Sequence, residues 1–263
     1  MSGPMRLLET GLLPAQHNVA ITAALAELHG EGRSPDTLRL CRYRPSVLVG
    51  RNQAIADVVR AKACQRRNVD VVQRVTDGGA FYVNPGMLVW ELVAERSRFG
   101  DHFYRIAEGI CSGIAAGLAR FGLPARYRPP CDVTIAGRRI AHSAGTLFGP
   151  TAVFQGTILI DVDRSELAAF IRNKPRHGAL TPNPASDVST LSDWLGRVPP
   201  VDELKALLVA ALSFCWDREI RPGALTSQEL DLIDRLGRQG SVGIPATGDE
   251  PFQTMREREA HPT

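Results

Sequence analysis

The sequence is poor in lysine and offers little for metal binding or membrane insertion. Of its 263 residues, three are lysines: Lys62, Lys174 and Lys205. The five cysteines are odd in number and none has Cys-x-x-Cys spacing, which argues against a disulfide framework or zinc site and fits a reducing compartment. No apolar run reaches the ~18 residues of a membrane span, and the start lacks a signal-peptide segment. We therefore predict a cytoplasmic protein without a membrane or metal function.

Charge and composition argue against a nucleic-acid-binding protein. The net charge is only +3, and no basic run with interleaved aromatic residues is present, so nucleic acid is not a predicted partner. The hydrophobic content of 44% and charged content of 22% are ordinary for a globular protein. We predict one domain over residues 1–240 and a polar, poorly ordered tail over 241–263.

Hydrophobic periodicity predicts an α+β fold: a mixed, mostly antiparallel β-sheet flanked by α-helices. Helical spacing predicts helices over 14–29, 57–67, 101–121, 164–172, 201–216 and 227–238. Asp101 is the predicted N-cap and Gly122 the predicted C′ residue of the third. Alternation predicts strands at 38–40 and 47–49, then over 69–75, 86–93, 133–136, 139–146 and 152–160. Gly137-Arg138 is predicted to be a tight hairpin turn.

The most informative segment is Arg-Val-Thr-Asp-Gly-Gly-Ala-Phe-Tyr, from Arg74 to Tyr82. Gly78 and Gly79 lie between two apolar strands, where the missing Cβ atoms allow a ligand to approach the backbone closely. Arg74 supplies a cation for a carboxylate or phosphate. Asp77 would repel a nearby phosphate unless a cation such as Arg74 lies between them.

A second segment, Cys131 to Ala144, reads Cys-Asp-Val-Thr-Ile-Ala-Gly-Arg-Arg-Ile-Ala-His-Ser-Ala. A third runs from Phe154 to Asp163 and reads Phe-Gln-Gly-Thr-Ile-Leu-Ile-Asp-Val-Asp. In the third, Gly156 allows close backbone approach, while alternating apolar side chains build a core. A polar Gly-Arg-Asn-Gln turn also follows an apolar strand at residues 50–53.

Together these segments resemble the signatures of the lipoate–protein ligase, octanoyltransferase and biotin ligase family. The resemblance covers roughly residues 10–240 and implies the catalytic-domain fold of the class II biotin and lipoate ligases. It also contains departures. Asp77 replaces the first of three glycines, Arg139 replaces a lysine, His142 replaces a glycine, and Gln155 replaces a histidine.

The resemblance implies that the protein attaches a lipoyl or octanoyl group to a lysine of a lipoyl-domain carrier protein. Arg139 would take the electrostatic role of the family lysine, although a guanidinium is a poor general base near neutral pH. Asp132 and Lys174 would contact the nucleotide. The residues implied to surround the substrate are Arg74, Asp77, Gly78, Gly79, Tyr82, His142, Ser143, Ala144, Gly156 and Thr157. ATP with Mg would serve a ligase, and lipoate or octanoate would be the ligand.

Two alternatives stay open at this point. In an ATP-independent transferase, Cys131 would form an acyl-thioester, with Arg139 or His142 lowering the pKa of its thiol. Alternatively, the loss of the family lysine together with the other departures would leave a non-catalytic homologue that binds an acyl ligand or a carrier.

The family also suggests partners. The implied carrier is a lipoyl-domain protein, such as a glycine-cleavage H-like protein or a dehydrogenase E2 domain. Many lipoate ligases carry a small accessory domain after the catalytic domain, and this chain is too short for one. We therefore expect either a transferase or a ligase with a separate accessory polypeptide.

Overall fold

The computed structural model describes residues 3–100, 102–172 and 187–239. Lys174, the predicted N-cap Asp101 and the predicted tail lie outside these residues. Within them, no helix is long and apolar enough to cross a membrane.

Eight strands form the main sheet and three form a smaller one. Along the chain they are β1 (Met5–Leu13), β2 (Thr37–Tyr43), β3 (Ser46–Val49), β4 (Asp70–Gln73), β5 (Phe81–Val83), β6 (Met87–Glu95), β7 (Arg126–Arg128), β8 (Asp132–Ile135), β9 (Arg138–Phe148), β10 (Thr151–Leu159) and β11 (Ile220–Pro222). The main sheet has the order β11-β1-β2-β6-β10-β9-β8-β7, and the small sheet has the order β4-β3-β5. In the main sheet β1 pairs in parallel with β2 and β11, and the other neighbours are antiparallel. The predicted α+β class with a mixed, mostly antiparallel sheet is confirmed.

Helices cover both faces of the main sheet. The helices of the described residues are α1 (Ala15–Gly30), α2 (Ile55–Val58), α3 (Ala61–Arg66), α4 (Phe103–Ala119), α5 (Arg164–Leu167), α6 (Leu191–Leu195), α7 (Val201–Cys215) and α8 (Ser227–Gln239). One core cluster joins α4, α6 and α7 to the first face, around Trp90 and Phe154. Another joins α1, α8 and part of the small sheet to the second face. Because side chains alternate between the faces of a strand, β1, β2, β6, β9 and β10 contribute apolar residues to both cores.

Ion pairs hold the helices of the second face in place. Arg39 and Glu91, both fully buried, face each other across β2 and β6 at 2.6 Å. Arg6 on β1 donates to Glu229 at the start of α8, also at 2.6 Å. Burial alone would raise the pKa of Glu229, but hydrogen bonds from Arg6 and Ser34 outweigh burial and lower it to about 2.

Several predicted elements differ from the structure. The helix predicted over 57–67 is broken because Val59 is extended and forms a bridge with Ile171. The helix predicted over 164–172 ends at Leu167, and Ile171 forms the other side of this bridge. The hairpin between β8 and β9 turns at Ala136 and Gly137, with φ of 46° and 77°, one residue earlier than predicted. Strands β1, β5, β7 and β11 were missed.

Candidate active site

A cavity of about 330 Å³ lies between the small sheet and the second face of the main sheet. Its walls are mainly apolar, because β9 and β10 present small or aliphatic residues beneath the segment from Ala80 to Tyr82. The apolar lining comprises Ala80, Phe81, Met87, Ala141, Leu159, Leu167, Ile171 and Val188. A volume near the lower end of ligand pockets, which span roughly 300–1,000 Å³, suits a single aliphatic chain.

The polar lining of this cavity consists of Arg139, His142, Thr157 and Tyr82. All four were predicted site residues, and the structure brings them to one cavity. The hydroxyl of Tyr82 donates to Glu166 at 3.1 Å, and burial together with that carboxylate raises the pKa of Tyr82 to about 12. Tyr82 is therefore a neutral phenol at physiological pH.

Asp132 supports the polar lining from the adjacent strand. One carboxylate oxygen accepts a 2.7 Å hydrogen bond from Nδ1 of His142 and lies 3.5 Å from Nε of Arg139. The other oxygen accepts a 2.9 Å hydrogen bond from Arg128. Burial raises the pKa of Asp132, but the His142 hydrogen bond and the Arg139 charge outweigh it and lower the pKa to about 2. Asp132 is a carboxylate throughout the physiological pH range.

Arg139 has unused hydrogen-bonding capacity. Its Nε is buried and lies 3.5 Å from Asp132 Oδ1 without making a hydrogen bond, and its terminal nitrogens donate to no residue that the structure describes. The position suits an acyl carbonyl or phosphate oxygen brought by a ligand.

Arg74, a predicted substrate-binding residue, does not line the cavity. Its side chain is almost fully buried, and it donates to Leu48 O at 3.1 Å, Asp77 O at 2.7 Å and the Thr76 hydroxyl at 2.9 Å. Burial lowers the pKa of Arg74 to about 9, opposed by the charge of Asp77. Arg74 therefore stabilises the loop that contains Gly78 and Gly79, called the glycine loop below. Its donors are used by the protein.

Asp77 is also satisfied by the protein, but by a different cation from the one predicted. Its carboxylate accepts hydrogen bonds from Asn52 at 2.7 Å, Thr146 at 3.0 Å and Arg51 at 3.3 Å. Asn52 and Arg51 belong to the polar turn after β3. This turn thus fixes the loop, and Arg51 rather than Arg74 pairs with the Asp77 side chain.

The predicted glycines have unequal roles. Gly78 has φ of 103°, which favours glycine, and a Cβ on Gly50 would lie 2.0 Å from the Gly78 carbonyl oxygen. Gly79 has open space around it. Gly156 does not face the cavity: a Cβ there would lie 2.5 Å from the Trp90 ring. The predicted ligand contact at Gly156 is therefore replaced by core packing.

Cys131 and Ser143 lie on the other face of the sheet. Cys131 is buried in the core cluster that contains α4, and Ser143 contacts the Cys111 sulfur at 3.2 Å. Ala144 is buried and would contact a Cβ at Gly78 at 3.5 Å, so it packs under the loop. Since neither Cys131 nor Ser143 lines the cavity, the predicted acyl-thioester role of Cys131 does not fit this arrangement.

None of the eight apolar residues that line the cavity was a predicted site residue. Leu167, Ile171 and Val188 reach the cavity from the chain that follows the last signature string, outside every quoted motif. Isolated apolar residues carry no recognisable ligand-binding signal, so only their positions in the fold identify them.

Known proteins resemble this chain over most of its length. The family model described as the lipoyl protein ligase A/B catalytic domain matches residues 14–213. Octanoyltransferase LipM of Symbiobacterium thermophilum is 27% identical over 249 residues, which are 85% of this chain and 90% of that protein.

Solved structures show the same fold. A lipoate-protein ligase A bound with ATP has a TM-score of 0.78 at 20% identity, covering 91% of this chain and 95% of that one. A bipartite lipoate protein ligase of Thermoplasma acidophilum, studied with its E2 lipoyl domain, has a TM-score of 0.76 at 21% identity, covering 90% and 93%. At these identities the likeness concerns the fold alone.

Proposed function

We propose a function from the premise that this chain belongs to the lipoyl protein ligase A/B catalytic domain family. The protein attaches a lipoyl or octanoyl group to a lysine of a lipoyl-domain carrier protein. The family identified from the sequence is confirmed, and the predicted enzyme class agrees with relatives named octanoyltransferase and lipoate–protein ligase.

One observation carries the proposal: an apolar cavity of about 330 Å³ that has a cationic and imidazole-bearing polar lining. An aliphatic tail gains about 0.8 kcal/mol for each methylene removed from water. The carbonyl of the same acyl group needs a hydrogen-bond donor as negative charge develops on its oxygen. Arg139 supplies that donor, since its guanidinium lines the cavity, lies 3.5 Å from Asp132 and makes no hydrogen bond to any described residue.

For nucleotide binding, the proposal names one residue as the phosphate contact. Arg139 is suitably placed for a phosphate, whereas the donors of Arg74 are used within the loop. Contacts of Asp132 and Lys174 with the nucleotide, the use of ATP with Mg, and the cytoplasmic location stay predictions. When bound, ATP would activate the free acid, and an acyl thioester would make that step unnecessary.

The carrier is a lipoyl domain, by analogy with the bipartite ligase studied with its E2 lipoyl domain. A glycine-cleavage H-like protein and a dehydrogenase E2 domain are both suitable acceptors. If the protein is a ligase, we expect it to act with a separate accessory polypeptide.

Mass spectrometry of a lipoyl-domain protein tests the proposal. The carrier is incubated with this protein and, in separate reactions, octanoate, lipoate or biotin with Mg-ATP, or an octanoyl thioester without ATP. A mass increase equal to one octanoyl or lipoyl group is expected on the wild-type carrier and not on a carrier whose acceptor lysine is arginine.

The separate reactions distinguish the routes. Modification that requires ATP indicates a ligase, and modification from the thioester alone indicates a transferase. An unmodified carrier in every reaction overturns the proposed transfer; binding of octanoate without transfer would instead support the non-catalytic alternative.

A further inference from the structure

Three polar residues form a row across neighbouring strands of the main sheet. Asp132 on β8 is directly opposite His142 on β9, and His142 is directly opposite Thr157 on β10. The register of the antiparallel strands places the three side chains on one face, next to each other. His142 and Thr157 line the acyl cavity, and Asp132 lies behind His142.

The carboxylate of Asp132 fixes the tautomer of His142. Because Asp132 is ionised and can only accept, Nδ1 of His142 must carry the proton in the 2.7 Å hydrogen bond. In the neutral ring, Nε2 therefore has a lone pair and can accept a proton. Nε2 makes no hydrogen bond to any described residue, and the side chain is 40% exposed.

Charged and polar groups surround the Asp132–His142 pair. Arg128 on β7 and Arg139 on β9 contact Asp132, so the carboxylate is held in place by two guanidinium groups. Thr157 on β10 is uncharged. Across the cavity, Tyr82 is a neutral phenol bonded to Glu166. Among the described residues that line the cavity, His142 is thus the side chain with a ring nitrogen free to accept a proton.

We propose that His142 is the general base of acyl transfer and that Asp132 is its positioning residue. This inference rests on the proposed function and deepens it. The acceptor lysine must lose a proton to form an amide, and Arg139 cannot accept one near neutral pH. His142 supplies the base that a guanidinium cannot, within the same cavity.

With an acyl thioester as donor, the step balances. The neutral amine of the carrier lysine attacks the acyl carbon, and a C–N bond forms while Nε2 of His142 removes a proton from that nitrogen. The C–S bond then breaks, and the imidazolium returns the proton to the departing thiolate. The products are an amide and a thiol, with His142 and Asp132 unchanged.

The test measures acyl transfer to a lipoyl-domain protein by the full chain and its variants, from whichever donor the wild type uses. His142→Gln should lower kcat by about 10²-fold to 10⁴-fold with little change in KM, and should remove the acidic limb of the pH–rate profile. Asp132→Asn should lower kcat by roughly 10-fold to 100-fold, because the ring is no longer oriented. His17→Gln, at an exposed position of α1, is the matched control and should equal the wild type.

Chemical rescue guards against misfolding. His142→Ala opens space beside the cavity, and added imidazole should restore part of its activity, which it cannot do for an unfolded protein. His142→Gln with a wild-type rate and pH profile, or His142→Ala that is folded but not rescued, overturns the general-base role while leaving the proposed function intact. Wild-type protein that transfers no acyl group from any donor overturns the proposed function itself.

Discussion

Affinity for fatty acids is expected to depend strongly on chain length. Each methylene that enters the cavity contributes about 0.8 kcal/mol, which lowers the dissociation constant about fourfold. Octanoate has two more methylenes than hexanoate, so it should bind about 1.6 kcal/mol more tightly, or roughly 15-fold. The cavity of about 330 Å³ limits this gain, and dodecanoate should therefore bind no better than octanoate.

Isothermal titration calorimetry with butanoate, hexanoate, octanoate and dodecanoate measures these constants without requiring catalysis. Ala80→Leu, in the cavity wall, should weaken octanoate binding and leave butanoate binding nearly unchanged. Ala116→Leu, on an exposed turn of α4, makes the same chemical change away from the cavity and serves as the control.

Two results would refute the reasoning. Equal affinities for all four acids would show that the aliphatic tail does not enter the cavity. Equal behaviour of Ala80→Leu and Ala116→Leu would show that the tail binds somewhere else.

Three other predictions concern the loop, the acid stability and the thiol. Gly50→Ala should destabilise the fold by about 1–3 kcal/mol in urea unfolding, because its Cβ would lie 2.0 Å from a backbone oxygen. Gly79→Ala, with open space around it, should change stability by less than about 0.5 kcal/mol, and equal effects would contradict the loop packing. The lowered pKa of Glu229 stabilises the fold above about pH 4.5, and up to about 3 kcal/mol of the free energy of unfolding should be lost as the pH falls through about 2. Acid titrations followed by circular dichroism should show a weaker pH dependence of stability for Glu229→Gln. Cys131→Ser should retain acyl transfer, and a hydroxylamine-sensitive acyl-enzyme that disappears in this variant would show that the thiol reaches the acyl group after all.

The sequence by itself was sufficient for the fold class and for strands β8, β9 and β10, which carry Asp132, Arg139, His142 and Thr157, whereas β5, which also lines the cavity, was missed. The strings at residues 131–144 and 154–163 have strand alternation, and the first contains the turn glycine Gly137, so local chemistry specifies β8, β9 and β10 nearly at their observed bounds. The same strings specify the family. Strand β1 was missed, although it pairs with both β2 and β11, because its place in the sheet depends on partners distant in the chain.

Only the tertiary structure decided which side chains face the cavity. Arg74 and Cys131 have the residue types of a ligand cation and a nucleophile, yet one is buried under the glycine loop and the other in the α4 core. A one-residue step along a strand moves a side chain to the opposite face of the sheet. Cys131 therefore joins the core, while Asp132 next to it joins His142 at the cavity, because strand register rather than residue type sets which groups meet.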